Sequence, residues 1–346
     1  MLTSDQNRKI NEIVEEFKEA ADFYRMEYSE DLMGMFRDFG CMLLLKCKVD
    51  TEGKADLERL LEGRHKLKGT VKRQLMTVSE ELVQLWAPGE QDGSGDTGEY
   101  EGSQNVREMF QTALEEIFHF CLYSKGGKNR YLLPEETAKP LLRLLTFPEG
   151  MMAGNEGLVV LDTQCGAGSA LMAASRYLKN LRLMGYEKDE EMWAAAVIMS
   201  QLSGLEMELH LEDGARADLV ISNPVYGTDT IKDEELIDQL PGELKTVRGR
   251  YHMELIRSMQ ALNFDGKAML IVPNSFLFAN RTESMKVRKW LLQSYSLEAI
   301  ISLPEDTFMY SGVRSGVMVF SKPFMSGGWE GHTQRVLYYN LEKQED

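Results

Sequence analysis

The chain has 346 residues, of which 43% are hydrophobic, and its formal net charge at pH 7 is -16. This length and apolar content can fill the core of one large globular domain or of two ordinary ones, and they exclude a disordered chain. Non-specific affinity for a nucleic-acid duplex comes mainly from Lys and Arg side chains that replace phosphate counterions. So acidic a chain therefore needs a basic partner or a local basic patch for any such contact.

Membrane and metal signals are missing from the sequence. No stretch approaches the roughly 20 apolar residues that a membrane span requires, and the N-terminus has no basic start followed by an apolar run. We therefore expect a cytoplasmic protein. The four cysteines and five histidines form no pair with metal-ligand spacing, so we expect reduced thiols and no metal site.

The first part of the chain, residues 1–123, is predicted to form a helical N-terminal domain. Apolar residues repeat there at three- and four-residue spacing over 7–23, 31–47, 56–61, 68–86 and 105–123. Between the last two of these segments, residues 87–103 are rich in Gly and acidic residues and poor in apolar ones. A mobile loop is predicted there, because such a segment has little apolar surface to pack.

Residues 124–346 are predicted to form a second domain of the α/β class. From about residue 158, short apolar runs alternate with amphipathic helices, a pattern typical of a mostly parallel, doubly wound sheet. The predicted strands are 158–161, 182–186, 207–211, 219–222, 268–272, 297–302 and 316–320. The predicted helices between them are 170–178, 190–202, 251–262 and 282–292.

A Gly-rich turn follows the first predicted strand. The strand ends in Asp162, and the turn contains Cys165, Gly166 and Gly168 before the next helix begins. In an open α/β sheet, ligands bind at the carboxyl ends of the strands, where Gly lets the backbone approach the ligand closely. Such turns also occur where only tight packing is needed, so a binding loop and a packing turn are equally open on this feature alone.

An acidic residue, Glu187, ends the next predicted strand, about twenty residues beyond the Gly-rich turn. A carboxylate at this place can accept hydrogen bonds from the ribose hydroxyls of a nucleoside-containing cofactor. Acids at strand ends are common in so acidic a chain, so the functional interpretation depends on the turn and the acid together.

The predicted strand at 219–222 runs directly into Asn223, Pro224, Val225 and Tyr226. The Asn223 side-chain carbonyl and the Pro224 backbone carbonyl can accept the two hydrogens of an aromatic amine, while the Tyr226 ring stacks on the acceptor. The amine lone pair then stays available to attack a methyl group in line. The alternative is an Asn-Pro turn without a binding role.

These two loops together resemble a known family. Asp-x-x-Cys-Gly-x-Gly at 162–168, followed by Asn-Pro-x-Tyr at 223–226, is similar to the amino-methyltransferases that methylate the exocyclic amine of adenine in DNA. The likeness is strongest to the modification subunit of type I restriction-modification systems, and it continues through 270–278, 287–292, 297–304 and 317–322. Residues 130–134 resemble the Tyr-x-Thr-Pro segment that closes over the cofactor in that family.

The resemblance implies a Rossmann-like methyltransferase core that binds S-adenosylmethionine. The residues implied at the cofactor are Tyr131, Asp162, Cys165, Gly166, Gly168, Glu187 and Asp213, with Glu187 at the ribose and Asp213 at the adenine amine. The residues implied at the target base are Asn223, Pro224 and Tyr226. In that family a partner specificity subunit supplies DNA recognition, which would also answer the electrostatic objection, and both homo- and hetero-oligomers are open.

The sequence departs from the family pattern at several places. Thr163 and Val225 stand where the family has prolines, and Leu133 stands where it has threonine. Only four residues separate Asp213 from Asp218, whereas a parallel crossover needs about a dozen, so either the third strand is displaced or this part of the core is trimmed. Two alternatives stay open: a degenerate fold kept as a binding or assembly module, and an amino-methyltransferase acting on RNA or on protein glutamine.

Overall fold

A computed structural model of the chain describes residues 2–28, 32–47, 49, 55–62, 67, 69–86, 100–124, 132–145, 157–210, 214–227, 229–308, 312–322 and 335–341. The packing divides the chain into two compact units. The first comprises Met1–Gly127 and Glu190–Leu205, and the second comprises Lys128–Asp189 and Glu206–Asp346.

The first unit is helical. Its helices are α1 (Ser4–Glu27), α2 (Leu32–Lys46), α3 (Ala55–Glu62), α4 (Gly69–Leu85), α5 (Tyr100–Tyr123) and α8 (Glu190–Leu202). Helix α1 begins at Ser4 because Thr3 caps it, with the Thr3 hydroxyl accepting from the Gln6 amide and the Gln6 side chain accepting from the Thr3 amide. Helices α2 and α8 pack so closely that a Cβ at Gly40 would lie 2.5 Å from the Ile198 side chain.

The second unit is an eight-stranded sheet with helices. Its strands, in the sheet order β3-β2-β1-β4-β5-β7-β6-β8, are parallel from β3 to β5, and β7 runs antiparallel to both of its neighbours. The strand bounds are β1 Leu158–Asp162, β2 Leu181–Tyr186, β3 Met207–His210, β4 Ala217–Ser222, β5 Leu262–Pro273, β6 Ser296–Ser302, β7 Ser315–Ser321 and β8 Leu337–Asn340. The helices are α6 Glu135–Arg143, α7 Ser169–Tyr177, α9 Glu234–Asp238, α10 Arg250–Gln260, α11 Asn274–Phe278 and α12 Thr282–Ser294, with a 3-10 turn at Gly242–Leu244.

The α/β class and each of the predicted strands and helices are confirmed, with ends that differ by a few residues. The far end of the predicted loop at 87–103 is corrected, because α5 begins at Tyr100, while residues 87–99 lie outside the described part of the chain. A helix grows by one hydrogen bond per added residue and so extends beyond its apolar stretch. Strand β8 was not predicted, because all four of its side chains are exposed and it therefore lacks an alternating pattern.

The connection between β3 and β4 is unusually short for a parallel sheet. Strand β3 pairs in parallel with β2 over four residues, so the third strand has its ordinary place in the sheet and is not displaced. Six residues, 211–216, connect it to β4 on the other side of β1 and β2. The link must cross three strand spacings of about 4.8 Å and run back over the length of about five strand residues, which together require roughly 22 Å. Seven Cα steps of about 3.5 Å supply roughly 24 Å, so six residues can span this distance but leave no room for the usual crossover helix. Residues 211–213 of the link lie outside the described part of the chain.

Candidate functional site

The Gly-rich turn after β1 is built on left-handed glycines. Gly166 and Gly168 have φ values of 55° and 82°, which a residue with a Cβ adopts only under strain. The Gly168 amide donates to the Cys165 carbonyl at 2.8 Å, and α7 begins at the next residue. We call residues 162–169 the donor loop. Its amides and the start of α7 lie at the carboxyl edge of the sheet, where ligands of such sheets bind.

Glu187 contacts the donor loop directly. The Gly166 amide donates to Glu187 Oε2 at 2.9 Å, and the Asp189 amide donates to Oε1 at 2.8 Å. The structure thus brings this acid and the turn into contact, and their role at a cofactor stays a prediction. The Lys188 amide also donates to this carboxylate, and because a carboxylate has about four lone-pair sites, about one remains for a hydroxyl donor of a ligand.

Burial dominates the electrostatics of this loop. Asp162 is 3% exposed, and burial raises its pKa to about 7, opposed by the hydrogen bond from the Gln164 amide and supported by the Glu187 charge. Burial likewise raises the pKa of Glu187, and it raises the pKa of the Cys165 thiol well above its usual range. Cys165 is therefore a neutral packing residue at pH 7, and a positive ligand charge would stabilise the ionised carboxyls.

A third carboxyl beside the donor loop escaped the sequence analysis. Glu254, on α10, is 7% exposed and is hydrogen-bonded to the Gln164 side chain. Burial raises its pKa, the Lys188 charge lowers it, and the Glu187 charge raises it. An acid inside an amphipathic helix gives no local signal of burial, because such residues normally occupy the solvent face.

The Asn-Pro-Val-Tyr segment, which we call the acceptor loop (residues 223–226), follows β4. Strand β4 is hydrogen-bonded to β1, with Ile221 opposite Asp162, so the acceptor loop begins beside the donor loop. The side-chain oxygen of Asn223 is buried, and Val225 is 38% exposed. The Tyr226 ring packs edge-on against Tyr251, with centroids 5.6 Å apart.

A chain of buried hydroxyls connects the two loops. Thr163, in the donor loop, lies 2.6 Å from the Ser258 hydroxyl on α10. Ser258 is also 2.9 Å from the hydroxyl of Ser222, the residue before Asn223, and 2.7 Å from the Glu254 carbonyl. Ser258 and Ser222 are fully buried. Because a hydroxyl has a single hydrogen, Ser258 donates to Ser222 or to Glu254 and accepts from Thr163.

The structure thus brings Asp162, Cys165, Gly166, Gly168, Glu187 and the acceptor loop to one edge of the sheet. The predicted site residues Tyr131 and Asp213 lie outside the described residues. Within the described ranges, no group of three His, Cys, Asp or Glu side chains could hold a metal ion. In the same part of the chain, no helix combines the length and the apolar content needed to cross a membrane.

Comparisons with known proteins give one family. Residues 107–346 match the N-6 DNA Methylase family. The methylase subunit of the type I restriction enzyme MjaVII from Methanocaldococcus jannaschii is 25% identical over 291 residues, covering 77% of this chain and 47% of that protein. The type II restriction enzyme and methyltransferase RM.BcgI from Heyndrickxia coagulans is 27% identical over 207 residues, covering 54% of this chain and 31% of that protein. The chain therefore spans less than half the length of these curated relatives.

Solved structures with similar folds cover almost the whole chain. The type I restriction-modification methyltransferase subunit from Streptococcus thermophilus has a TM-score of 0.58 at 16% identity, covering 97% of this chain and 89% of that one. A Listeria monocytogenes protein assigned to the class I S-adenosylmethionine-dependent methyltransferases has a TM-score of 0.68 at 16% identity, covering 98% and 95%. At these identities the likeness shows the fold alone.

Proposed function

Because this chain belongs to the N-6 DNA Methylase family, we propose that it transfers the methyl group of S-adenosylmethionine to the exocyclic amine of adenine in DNA. The observation that carries the proposal is the pairing of β1 with β4, which puts the end of the donor loop's strand opposite the residue two before Asn223. A methyl donor and an amine acceptor must meet within about 3–3.5 Å for transfer, and loops that follow adjacent strands can hold the two groups side by side.

The donor loop fits S-adenosylmethionine in its chemistry. No ion pair with a described Lys or Arg neutralises Asp162 or Glu187, so their carboxyls match a ligand with a positive sulfonium and ammonium. In this proposal Asp162, Gly166 and Gly168 hold the methionine end of the cofactor, Glu187 holds the ribose, and Cys165 lies at the cofactor in the same turn. When bound, the cofactor supplies a methyl group activated by the sulfonium charge. Tyr131 and Asp213 retain their proposed places at the cofactor.

The acceptor loop orients the adenine amine. The Asn223 side-chain oxygen and the Pro224 carbonyl accept the two amine hydrogens, and this keeps the nitrogen lone pair directed at the methyl group. The Tyr226 ring stacks on the base, which partly offsets the few kcal/mol that removing the base from the duplex costs. The contribution of these residues is orientation and exclusion of water, without a covalent intermediate on the protein.

Recognition of a DNA sequence belongs, in this proposal, to a partner. The net charge of -16 opposes tight binding of the chain alone to a duplex. We infer a basic specificity-type subunit as the partner, since the first curated relative is itself named as a subunit of a type I restriction enzyme.

The proposal is tested first by calorimetric titration with S-adenosylmethionine. Wild type is expected to bind at micromolar concentration, Asp162→Ala to lose binding, and Asp22→Ala, which removes an exposed acid from α1, to bind as wild type does. No heat and no thermal shift at millimolar cofactor would favour a degenerate binding module instead.

Methyl transfer from labelled cofactor is then measured on DNA, RNA and glutamine-containing protein. N6-methyladenine in DNA is the expected product, formed with a specificity subunit present. Asn223→Ala should lose transfer and keep cofactor binding, because the amide acts on the acceptor alone. Transfer to RNA or to glutamine, with none to DNA, would show that adenine in DNA is not the substrate.

A further inference from the structure

Positive charge is concentrated in two short segments of this acidic chain. Residues 245–250 and 281–289 together contain seven Lys or Arg and one acid, Glu283, within fifteen residues. The exposed or half-exposed cations Arg248, Arg250, Arg281, Lys286 and Lys289 form what we call the basic surface. The net charge of these two segments is positive, whereas that of the whole chain is negative, so the basic surface differs from the rest of the chain in its electrostatics.

The two segments are fastened to each other. The single acid, Glu283 on α12, accepts from the amides of Arg248 and Gly249 at 2.9 and 3.1 Å. The Lys286 ammonium donates to the Thr246 hydroxyl at 2.7 Å. Glu283 is therefore engaged by backbone amides as well as by His252, at 3.5 Å from its Nδ1 atom. These contacts hold the two segments together, which lowers the conformational entropy lost when their cations bind a ligand.

The basic surface lies beside the chain that leaves the acceptor loop. The Arg250 amide donates to the Asp229 carbonyl at 2.8 Å, and the Ile231 amide donates to the Arg248 carbonyl at 2.7 Å. Thr230 and Gly249 form an antiparallel bridge. Three residues separate Tyr226 from Thr230, so the segment with Arg248 and Arg250 pairs with chain that lies just beyond the acceptor loop.

Most of the positive charge of the basic surface is left for a ligand, although the Arg248 guanidinium donates to the Lys245 and Val247 carbonyls and the Arg250 charge lowers the pKa of Glu254. None of its five cations forms an ion pair with an acid in the part of the chain that the structure describes, whereas the neighbouring Lys245 pairs with Asp238. Among nearby acids, Asp233 caps α9, while Asp229, Glu234, Glu235 and Glu243 remain exposed and limit how far the surface extends. An exposed aromatic side chain, Phe278, precedes Ala279, whose carbonyl accepts from the Arg288 guanidinium at 2.9 Å.

We propose that the basic surface binds the backbone phosphates of duplex DNA on the side of the target adenine. The inference rests on the proposed function and goes beyond it, because it gives this chain its own share of the DNA contact. A few phosphates held here would keep the duplex over the acceptor loop while a partner reads the sequence. The net negative charge of the whole chain opposes contact of the duplex with the rest of the surface.

The test is the salt dependence of DNA binding by the full chain, measured by fluorescence anisotropy with a short labelled duplex of mixed sequence. The variant Arg281→Gln, Lys286→Gln, Lys289→Gln removes three charges from the basic surface. The matched control, Lys9→Gln, Lys72→Gln, Arg73→Gln, removes three exposed charges from α1 and α4. Both variants carry the same net charge, so a difference between them reports the place of the charges and not their sum.

Each phosphate contact contributes about 0.9 to the slope of log K against log salt concentration, so the test variant should lose about 2.7 from the slope. The control should keep the wild-type slope, and both should keep wild-type affinity for S-adenosylmethionine. Equal slopes in the two variants would overturn the proposal that the basic surface binds DNA. Absence of DNA binding by wild type at low salt would overturn it as well. The proposed function fails separately, through loss of cofactor binding or of methyl transfer by wild type.

Discussion

Removing the Ser258 hydroxyl should disconnect the donor loop from the acceptor loop. In Ser258→Ala, the hydroxyls of Thr163 and Ser222 lose a partner at 2.6 and 2.9 Å, and both residues are buried. A buried polar group without a partner costs about 1–3 kcal/mol, so two of them cost about 2–6 kcal/mol. Alanine favours the helix by roughly 0.5 kcal/mol, which offsets a small part of that cost.

The effect on turnover should exceed the effect on cofactor binding. A misplacement of about 1 Å between reacting groups can lower a rate by about 100-fold. We therefore expect kcat of Ser258→Ala to fall by up to that factor, with Kd for S-adenosylmethionine close to the wild-type value. Thr163→Val, which keeps the shape of the side chain and removes the hydroxyl, should lower kcat in the same way. Thr163→Ser should keep the wild-type rate, because it retains the hydroxyl.

Chemical denaturation gives the free energy of unfolding, and hydrogen exchange of the two loops gives a readout that needs no activity. The matched control is Ser79→Ala, because Ser79 is also a fully buried helical serine but donates only to the Met76 carbonyl within its own helix. If Ser258→Ala costs no more stability than the control and leaves kcat and exchange at residues 163–168 and 223–227 unchanged, the hydroxyl chain has no positioning role.

Three further predictions concern single buried groups around the site. Burial raises the pKa of Asp162 from 3.8 to about 7, so between these pH values the folded, cofactor-free protein holds a proton that the unfolded chain has released. The free energy of unfolding attributable to this group therefore falls as the pH rises through this range. Asp162→Asn should abolish this pH dependence of stability in denaturation experiments. The affinity of wild type for the cofactor should increase toward pH 7, because the Asp162 carboxyl ionises there, and a flat affinity profile would contradict the raised pKa. Tyr251→Phe should raise the free energy of unfolding by about 1 kcal/mol in denaturant titrations, because the Tyr251 hydroxyl is buried with no hydrogen-bond partner among the described residues, and a loss of stability would reveal such a partner. Gly185→Ala should cost about 1–3 kcal/mol and weaken cofactor binding, because the added Cβ would lie 2.7 Å from Cys165 Sγ and 3.0 Å from Leu209 Cδ2. Adding Cys165→Ala should relieve part of the lost stability in thermal unfolding, because it removes the sulfur but keeps the Cys165 Cβ at 3.0 Å, and no relief would exclude the clash with the sulfur as the cause.

The sequence predicts the parts of the site that depend on local pattern. Strand β1 is an uninterrupted apolar run followed by Gly residues, and Glu187 ends a strand, so the donor loop and its acid could be placed without coordinates. The acceptor loop was equally visible as Asn-Pro next to a buried strand. These features persist because parallel strands buried on both faces require continuous apolar residues.

The features missed by the sequence analysis depend on residues far apart in the chain. Glu254 and Ser258 lie on α10, and their partners Gln164 and Thr163 are about ninety residues earlier. Nothing in an amphipathic helix indicates which polar residue faces the interior. The grouping of α8 with the N-terminal helices was missed for the same reason, because its packing partners are distant in sequence.

The assignment of α8 to the helical unit has a consequence for how the protein can be divided. The chain passes from the sheet unit into the helical unit at residue 190 and returns after residue 205, so three covalent crossings join the two units. A fragment that starts at residue 128 retains α8 but lacks α2, whose Gly40 packs against Ile198. Ten of the thirteen residues of α8 are buried, so such a fragment would expose a strongly apolar helix and tend to aggregate. The helical unit is therefore not an independent module that a single cut or gene fusion can exchange.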